Sequence, residues 1–316
     1  MARTALVYHP AFLDHDSGPG HPERPDRLVA LMERLEDDGL LQRCVRLTPA
    51  EASLEALERV HSRRHVEYLA ELSGLGWLVA ETPDTLVSPG TYRAALLAAG
   101  AAVLAADAVL DGRVDNAFCP LRPPGHHAEH DRAMGFCYLN NVAVAARHLL
   151  SVRGLQRVAI VDWDVHHPNG TQHTFEDDPS VLVCSVHQFG GGFFPGTGAA
   201  AENGRGPGVG ATLNAPQGPG CTDADYLDVM RVQFAPAIER FAPEFILVST
   251  GFDAHRADPL GSMELTDEGF AALTRQIVDL AARHCQGRVV SVLEGGYDLE
   301  ALAGSAAAHV RALLAA

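Results

Sequence analysis

An apolar, β-branched run that changes abruptly into acids and imidazoles is the feature that most constrains this chain. The run covers residues 158–162 and continues into Trp163-Asp-Val-His-His-Pro-Asn-Gly170. If the backbone stays extended there, alternate side chains share a side, so Asp162, Asp164 and His166 face one way. A carboxylate and an imidazole two residues apart can bind one metal ion and leave a position open for water. Taken alone, the pattern favours an ordinary solvated strand end, so the rest of the chain decides.

The composition is that of a folded enzyme with a substantial core. Of the 316 residues, 47% are hydrophobic and 20% are charged, which argues against disorder and suits a single α/β domain over residues 1–316. There are 40 acidic and 24 basic residues, so the formal net charge is −16. Because nucleic acids are bound by clustered cations, this excess argues against direct nucleic-acid binding and favours a cationic substrate.

Targeting and redox signals are weak. The apolar stretch near the amino terminus is too short for a signal peptide, and no apolar run is expected to reach membrane-spanning length, so a cytoplasmic location is the default expectation. The six cysteines contain no Cys-x-x-Cys pair, which indicates reduced thiols and not a disulfide framework or thiolate zinc site. The sixteen histidines, several of them clustered, direct attention to metal or acid–base chemistry.

Short β-rich runs alternate with longer helical patterns, which predicts a parallel sheet covered by helices on both faces. Strands are predicted at residues 4–8, 44–47, 116–119, 158–162, 181–186, 245–250 and 289–293. Helices are predicted at residues 24–38, 55–72, 92–110, 139–150, 223–241, 267–285 and 300–314. The irregular, glycine-rich region from Gly190 to Gly220 is long enough to favour a functional role.

Unusual polar clusters follow five of the predicted strands. In an open parallel sheet, ligands bind beyond the carboxyl ends of the strands, so these clusters are expected to share one pocket. The clusters are His126-His127, the residues 162–166, Ser185 with His187, Gly251 to His255, and Glu294 to Tyr297.

Three of these residues form a candidate metal site. Asp164, His166 and Asp253 offer two carboxylates and one imidazole, a set that suits zinc or ferrous iron and is too open for a structural site. A metal bound there would polarise a carbonyl and lower the pKa of a water molecule.

The adjacent His126 and His127 are a candidate acid–base pair, for which Asp162 and Asn169 are the available orienting partners. A carboxylate raises the basicity of an imidazole more than an amide does, so the two histidines are expected to differ in protonation. Tyr297 is a candidate hydroxyl donor to a developing oxyanion.

Several of these residues also have a plainer interpretation. Tyr297 suits a packed aromatic beside a Gly-Gly turn, and Phe136 and Phe194 are core residues by default. His187 is expected to be structural, whereas His255 is balanced between a role behind the metal ligands and an ordinary loop position.

Together, the motifs resemble those of the histone deacetylase family, the acetyl-lysine and acetylpolyamine amidohydrolases. The resemblance covers nearly the whole chain and rests on His21 to Pro25 with Arg27-Leu28, Arg122 to His127, Gly135 to Asn140, Asp162 to His167, Phe193 to Gly198, Gly251 to Asp253, Asp258 to Gly261, and Glu294 to Tyr297. It implies the arginase-deacetylase fold, a three-layer αβα domain with a mostly parallel central sheet of about eight strands.

The resemblance implies a role for each residue. Zinc would be bound by Asp164, His166 and Asp253, with His126 and His127 as the dyad and Tyr297 polarising the substrate carbonyl. The substrate would contact Gly135, Phe136, Phe194, Leu260 and, at the rim, Asp84. A structural potassium ion would lie near Asp162 and Ser185. Asn169 would be the partner of the second dyad histidine, and an asparagine there, in place of aspartate, resembles the class II branch of the family.

Two positions, 168 and 260, bear on the placement of Asn169 and on the choice of substrate. Pro168 stands where the family usually has glycine. Because proline restricts both its own φ and the preceding residue, Pro168 bears on the placement of Asn169 and so on the tuning of His127. Leu260 stands where polyamine-selective members can have glutamate, which favours an acylated lysine of a protein or peptide, or a small acylated amine.

Three alternatives stay open at this point. One is an acetylpolyamine amidohydrolase. Another is a binuclear-metal ureohydrolase of the same fold, whose second metal would need acids near Pro168 and His255. The third is a non-catalytic protein that binds an acylated ligand.

Overall fold

A computed structural model describes residues 2–316 of the chain. Its strands are Thr4–Val7 (β1), Val45–Leu47 (β2), Leu78–Val79 (β3), Leu86–Val87 (β4), Asn116–Cys119 (β5), Val158–Asp162 (β6), Val181–Gln188 (β7), Thr212–Gln217 (β8), Phe245–Thr250 (β9) and Val289–Leu293 (β10). Its α-helices are Asp26–Asp37 (α1), Leu54–Leu57 (α2), Arg63–Leu75 (α3), Thr91–Leu110 (α4), Asn141–Ser151 (α5), Asn169–Phe175 (α6), Asp223–Val229 (α7), Ala235–Phe241 (α8), Asp267–His284 (α9) and Leu299–Leu314 (α10).

Eight strands form one sheet in the order β2-β1-β5-β10-β9-β6-β7-β8. Every pairing in it is parallel. Helices α1, α7, α8, α9 and α10 pack together in one layer, and α2 to α6 pack in another. The predicted three-layer αβα architecture is therefore confirmed, with a sheet that is wholly parallel.

The central strands are buried on both faces, which explains why their sequences are nearly continuous apolar runs. Helix α4 lies in the core beside them and is rich in alanine, so it can pack closely. With a hydropathy of 1.7, it is long and apolar enough to cross a membrane, and the prediction that no run reaches that length was wrong. Since 67% of its apolar window is buried inside the protein, core packing accounts for this composition.

Strand β8, helix α6 and the short antiparallel pair β3–β4 are the elements that sequence periodicity did not reveal. Strand β8 lies inside the glycine-rich region that was expected to be irregular, and it pairs only with β7 at the edge of the sheet. Because an edge strand is only partly buried, its residues carry little apolar alternation. Helix α6 begins with Asn and Gly directly after Pro168, residues that ordinarily signal a loop.

The predicted helix over residues 55–72 is interrupted. Residues 58–62 separate α2 from α3, and the side chain of Ser62 accepts a hydrogen bond from the backbone N–H of His65 at 3.2 Å. The Ser62 N–H donates to the carbonyl of His130 at 2.8 Å. A serine in this cap position starts a new helix.

Candidate active site

The backbone bends immediately after β6, so the extended continuation expected from the sequence does not occur. Local hydrogen bonds replace it. The Asp164 N–H donates to Asp162 Oδ1 at 3.0 Å, and the His166 N–H donates to Asp164 Oδ1 at 2.8 Å. These bonds hold the carboxylates in fixed orientations at the carboxyl edge of the sheet.

Asp164, His166 and Asp253 come together at this edge, with ligand atoms within 4.8 Å of one another. The Nδ1 atom of His166 lies 3.1 Å from Asp164 Oδ1 and 3.1 Å from Asp253 Oδ2. Backbone donors orient both acids, since the Val165 N–H bonds Asp253 Oδ1 at 2.8 Å and the Gly295 N–H bonds Asp164 Oδ2 at 2.8 Å. The predicted metal ligands therefore form one preorganised set.

Two glycines make room for these acids. A Cβ atom on Gly251 would lie 2.1 Å from Asp164 Oδ2, and one on Gly295 would lie 2.0 Å from Asp253 Oδ2. Both carboxylates are fully buried, and a buried carboxylate is costly unless a positive charge compensates it. Two buried acids and one imidazole around a common point fit a divalent cation of the zinc type.

The protonation of this set reflects the crowding of charge. Burial, together with the charge of Asp164, raises the pKa of Asp253 to about 7. Burial alone would lower the pKa of His166, but its contacts with the two acids raise it to about 9. The proton on Nδ1 thus supplies positive charge between two carboxylates. A metal ion that binds here has to displace it.

The histidine pair has the two partners that the sequence suggested. His126 donates from Nδ1 to Asp162 Oδ2 at 3.0 Å, and His127 donates from Nδ1 to Asn169 Oδ1 at 2.7 Å. Burial would lower the pKa of His126, but the charges of Asp164, Asp162 and Glu294 outweigh burial and raise that pKa to about 10. Burial and the neighbouring His126 hold the pKa of His127 well below its ordinary value. The surroundings of the two histidines thus favour the expected difference in protonation.

Glu294, which had no predicted role, fixes the loop that carries the pair. It accepts hydrogen bonds from the N–H of Gly125 at 2.7 Å, the N–H of His126 at 3.1 Å and the Ser249 hydroxyl at 3.0 Å. The potential ligand atoms of Glu294, His126 and Cys137 also lie within 4.8 Å of one another. Burial raises the pKa of the Cys137 thiol well above its usual range, which disfavours the thiolate that a metal would need.

A pocket of about 360 Å³ reaches the candidate metal ligand His166. Its lining contains all five predicted substrate-binding residues together with Tyr297 and His127: Asp84, His127, Gly135, Phe136, His166, Gly192, Phe193, Phe194, Leu260 and Tyr297. Three of the five polar clusters thus line one cavity, through His127, His166 and Tyr297. Asp253 of a fourth cluster lies beside His166, whereas Ser185 and His187 do not line the cavity.

Aromatic rings form the walls of this pocket. Phe194 meets His127 edge to face at a centroid distance of 5.0 Å, and Phe136 meets Tyr297 edge to face at 5.8 Å. Gly135 has a φ of +57°, and a Cβ atom there would lie 2.6 Å from His127 Cδ2. Only glycine allows the backbone to pass so close to the imidazole.

Phe193 contacts a metal ligand directly, although sequence reasoning gave it no role. Its ring stacks on His166 with a centroid distance of 5.1 Å and an interplanar angle of 8°. The doubled Phe193-Phe194 was the only signal for it, and the default assignment of such a residue to the core concealed it. Phe193 restricts the rotation of the His166 imidazole.

The loop that carries Tyr297 is held by two residues whose functions were not predicted. The Tyr297 N–H donates to Asp258 Oδ2 at 2.6 Å. The buried guanidinium of Arg27 donates to the carbonyl oxygens of Gly296 at 2.5 Å and Glu294 at 2.6 Å, and lies 4.9 Å from the centroid of the Tyr297 ring. Tyr297 therefore projects into the pocket from a rigid support.

Two remaining histidines lie outside the pocket lining. His255 accepts a hydrogen bond at Nδ1 from the Ala257 N–H at 3.1 Å, which is the behaviour of a loop residue. His187 is buried between the Ser185 hydroxyl at 2.8 Å and the Gly198 carbonyl at 2.9 Å, which fits its expected structural role.

Pro168 does not displace its neighbour. Its φ of −79° is within the range that proline favours, and it directly precedes the first residue of α6. Asn169 still reaches His127 at 2.7 Å. The contact that orients His127 is therefore kept with proline at position 168.

The fold and the site together define a class: an αβα protein with a candidate mononuclear metal site and a histidine pair at the carboxyl edge of a parallel sheet. Comparison with known proteins agrees. The family model described as "Histone deacetylase domain" matches residues 21–313. The chain is 44% identical over 299 residues to the "Probable deacetylase" of Archaeoglobus fulgidus, covering 94% of this chain and 82% of that protein. This chain belongs to the histone deacetylase family.

Two further similarities extend over almost the whole chain. The human "Polyamine deacetylase HDAC10" is 45% identical over 324 residues, which cover 98% of this chain and 48% of that protein. The crystal structure of the "HDA15 HD domain" matches with a TM-score of 0.95 and 41% identity, covering 99% of this chain and 88% of that one. The chain thus spans about half the length of the human relative.

Proposed function

We propose that this protein is a zinc-dependent amidohydrolase that removes acetyl or other short acyl groups from an acylated amine. The observation that carries this proposal is the convergence of Asp164, His166 and Asp253 with a histidine pair and a tyrosine around one pocket. The deacetylase names of the relatives agree with it. Ferrous iron is the other metal that this donor set suits.

The metal would be held by Asp164, His166 and Asp253. When bound, it supplies Lewis-acid polarisation of the acyl carbonyl and a lowered pKa for water. The neighbouring Gly295 N–H and Val165 N–H keep the two acids in place, so binding requires little rearrangement of the protein.

His127 is the group best suited to move a proton. It lines the pocket, and its low pKa keeps it neutral near pH 7. Because Nδ1–H is donated to Asn169, the Nε2 lone pair is free to accept a proton from the attacking water and later to protonate the leaving amine. His126, paired with Asp162, contributes positive charge beside the developing negative charge.

Tyr297 would donate its hydroxyl to the carbonyl oxygen as negative charge develops there. Burial, together with the charge of Asp253, raises the pKa of Tyr297 well above its ordinary value, so the hydroxyl stays protonated and able to donate. The hydrogen bond from the Tyr297 backbone N–H to Asp258 holds the loop, and the Arg27 cation over the ring holds the side chain, before substrate arrives.

The shape of the pocket favours a slender, apolar substrate stem. Phe136 and Phe194 would flank the methylene chain of an acylated lysine, and Asp84 at the exposed rim would contact the substrate backbone. Leu260 offers no partner for a second amine, and a buried amine without a partner is costly. An acyl-lysine of a protein or peptide, or a small acylated amine, is therefore the proposed substrate class.

An acetylpolyamine is the second candidate. Its support is the 45% identity to a human protein named as a polyamine deacetylase. The net charge of −16 would attract a polyamine from a distance, although attraction at the rim raises encounter rates without selecting a bound pose. Values of kcat/KM for acetyl-lysine peptides and for acetylputrescine and acetylspermidine decide between the two, and a clear preference for the polyamines would refute the Leu260 argument.

The other two alternatives have less support. A second metal of the ureohydrolase type would need acids near Pro168 and His255, and neither residue is one. A protein that only binds an acylated ligand has no need of both a histidine pair and Tyr297.

We also propose a structural potassium ion near Asp162 and Ser185, which are register partners on adjacent strands β6 and β7. Its test is the melting temperature of the protein in potassium and in tetramethylammonium chloride at equal ionic strength. A higher melting temperature in potassium supports the site, and equal values contradict it.

Turnover of the metal-loaded protein on a panel of acylated lysine peptides and acylated polyamines tests the proposed function. Activity on acylated amines that is lost on metal removal and restored by zinc is the expected result. Activity that persists in metal-free protein would overturn it.

A further inference from the structure

The amide of Asn169 lies between His127 and a second acid, Glu129. The Asn169 Nδ2 atom donates to Glu129 Oε1 at 2.6 Å, while its Oδ1 atom accepts from His127 Nδ1 at 2.7 Å. The other neighbours of Nδ2 are the His127 carbonyl at 3.3 Å and the Met134 sulfur at 3.4 Å. All three groups around Nδ2 are acceptors, so this end of the amide is surrounded by groups that can only receive a proton.

This arrangement decides which nitrogen of His127 carries the proton. An amide side chain can present either its oxygen or its nitrogen to an imidazole, and the surrounding hydrogen bonds select between the two. Because Asn169 Nδ2 donates to Glu129, only the amide oxygen of Asn169 is available to His127. His127 must then donate from Nδ1, which leaves Nε2 unprotonated.

Glu129 is itself held in place from the other side. His173 Nδ1 lies 2.8 Å from Glu129 Oε1 and 3.0 Å from Oε2. Asn169 and His173 are one helical turn apart in α6, so a single helix presents both partners of the carboxylate. The Glu129 side chain is 20% exposed, and that of His173 is 39% exposed.

We propose that Glu129 is a positioning residue, which fixes the amide of Asn169 and thereby the tautomer of His127. The consequence for turnover rests on the proposed function, whereas the consequence for the tautomer does not. Glu129 does not line the substrate pocket, so it acts only through Asn169.

The other charged groups near this chain of contacts have partners of their own. Arg59, His130 and Arg147 line a small cavity beside Glu129 and His173. Arg59 pairs with Glu55, Arg147 pairs with Asp178, and His130 contacts the Val60 carbonyl. Glu176 and Arg205 act on His173 from the end of α6 and pair with each other at 2.9 Å. His173 is the one basic group with an ion pair to Glu129 among the described residues.

The test measures the tautomer directly. In metal-free protein labelled with ¹⁵N-histidine, imidazole shifts report which ring nitrogen carries the proton, and His127→Gln identifies the signal of His127. We expect Nδ1–H in the unmodified protein and in Glu129→Gln, which keeps an acceptor oxygen. Glu129→Leu removes the acceptor and is expected to give a mixture of tautomers. Glu176→Leu removes a carboxylate from the end of α6 that does not contact Asn169, and it is expected to leave the His127 tautomer unchanged.

Kinetics supply an independent readout. Glu129→Leu is expected to lower kcat by about tenfold or more with little change in KM, the scale of losing a group that orients a catalytic residue. Glu129→Gln should restore most of the rate. A merely structural role predicts instead that both variants lose stability and activity together.

A double substitution keeps the test sharp even if Glu129→Leu folds poorly. Asn169→Asp presents an oxygen to His127 in either orientation of its side chain. It also places a second carboxylate in contact with Glu129, and the two like charges repel each other. Asn169→Asp alone should therefore be less active than Asn169→Asp combined with Glu129→Gln. The reverse order, or an unchanged His127 tautomer in Glu129→Leu, would overturn the positioning role. If the unmodified protein has no amidohydrolase activity while Glu129→Leu still changes the His127 tautomer, the proposed function alone is refuted.

Discussion

The Nδ1 atom of His166 lies 3.1 Å from Oδ2 of Asp253, although the two residues are 87 positions apart in the sequence. This contact joins the ends of β6 and β9, which are neighbours in the sheet. Because its neighbours raise the pKa of His166 to about 9, a proton on Nδ1 is expected to satisfy the contact in metal-free protein at neutral pH. A metal ion would replace that proton, so stability, pH and metal binding are linked.

The stability of the metal-free protein is predicted to fall with rising pH. The pKa of His166 is raised from 6.5 to about 9, and that of His126 from 6.5 to about 10. Because the folded state holds these protons more tightly than the unfolded chain does, their contribution is complete below pH 6.5 and disappears as pH rises through about 9 and 10. Urea unfolding of metal-free protein at pH 6.5 and pH 9 measures it, and an equal or greater free energy of unfolding at pH 9 contradicts the linkage. Zinc should stabilise the protein more at pH 9, where fewer protons compete with it.

Removal of the Tyr297 hydroxyl is expected to affect the chemical step. Tyr297→Phe should lower kcat about a hundredfold or more while metal content stays unchanged, since one oxyanion donor typically contributes that much. Tyr92→Phe, which removes a hydroxyl outside the pocket, is the matched control. A change in KM alone would instead make Tyr297 a ground-state binding residue.

Leu260 is predicted to limit the use of polyamines. Leu260→Glu would place a carboxylate in the pocket lining, where it can pair with a second cationic amine. The ratio of kcat/KM for acetylspermidine to that for an acetyl-lysine peptide should rise about tenfold or more, the scale of one charge-assisted hydrogen bond. Leu260→Gln adds polarity without charge and should change the ratio much less. An unchanged ratio in Leu260→Glu would show that residue 260 does not choose the substrate.

Pro168→Gly is expected to leave catalysis unchanged. The φ of −79° suits proline, and Asn169 reaches His127 with proline present, so the dependence of kcat/KM on pH should keep its shape. Glycine has more freedom in the unfolded chain, and the free energy of unfolding should fall by about 0.4–1 kcal/mol. A displaced pH profile would show that Pro168 does tune the histidine pair.

Buried elements followed from the sequence because their pattern is set by their surroundings. Strands β5, β6, β9 and β10 have the bounds that the sequence predicted, since both faces of each strand are covered and its residues are mostly apolar. The edge strand β8 lacks this constraint, and its residues could not be distinguished from the loops around it.

The site followed from the sequence only in part. Residues at strand ends could be grouped because parallel strands carry their carboxyl ends to one edge. The contacts of Phe193 with His166 and of Glu129 with Asn169 depend instead on how a long loop folds back and on where α6 begins. Neither is encoded in a local periodicity, so sequence reasoning did not find them.

The metal content and activity of Asp253→Ala test the central claim most directly. Loss of this carboxylate removes one of the three proposed ligands, so the variant should bind no zinc by elemental analysis and should not hydrolyse acylated amines, while Asp228→Ala on the exposed surface retains both. Zinc-free but fully active Asp253→Ala, or unmodified protein that stays active after its metal is removed, would contradict metal-dependent amide hydrolysis at this site.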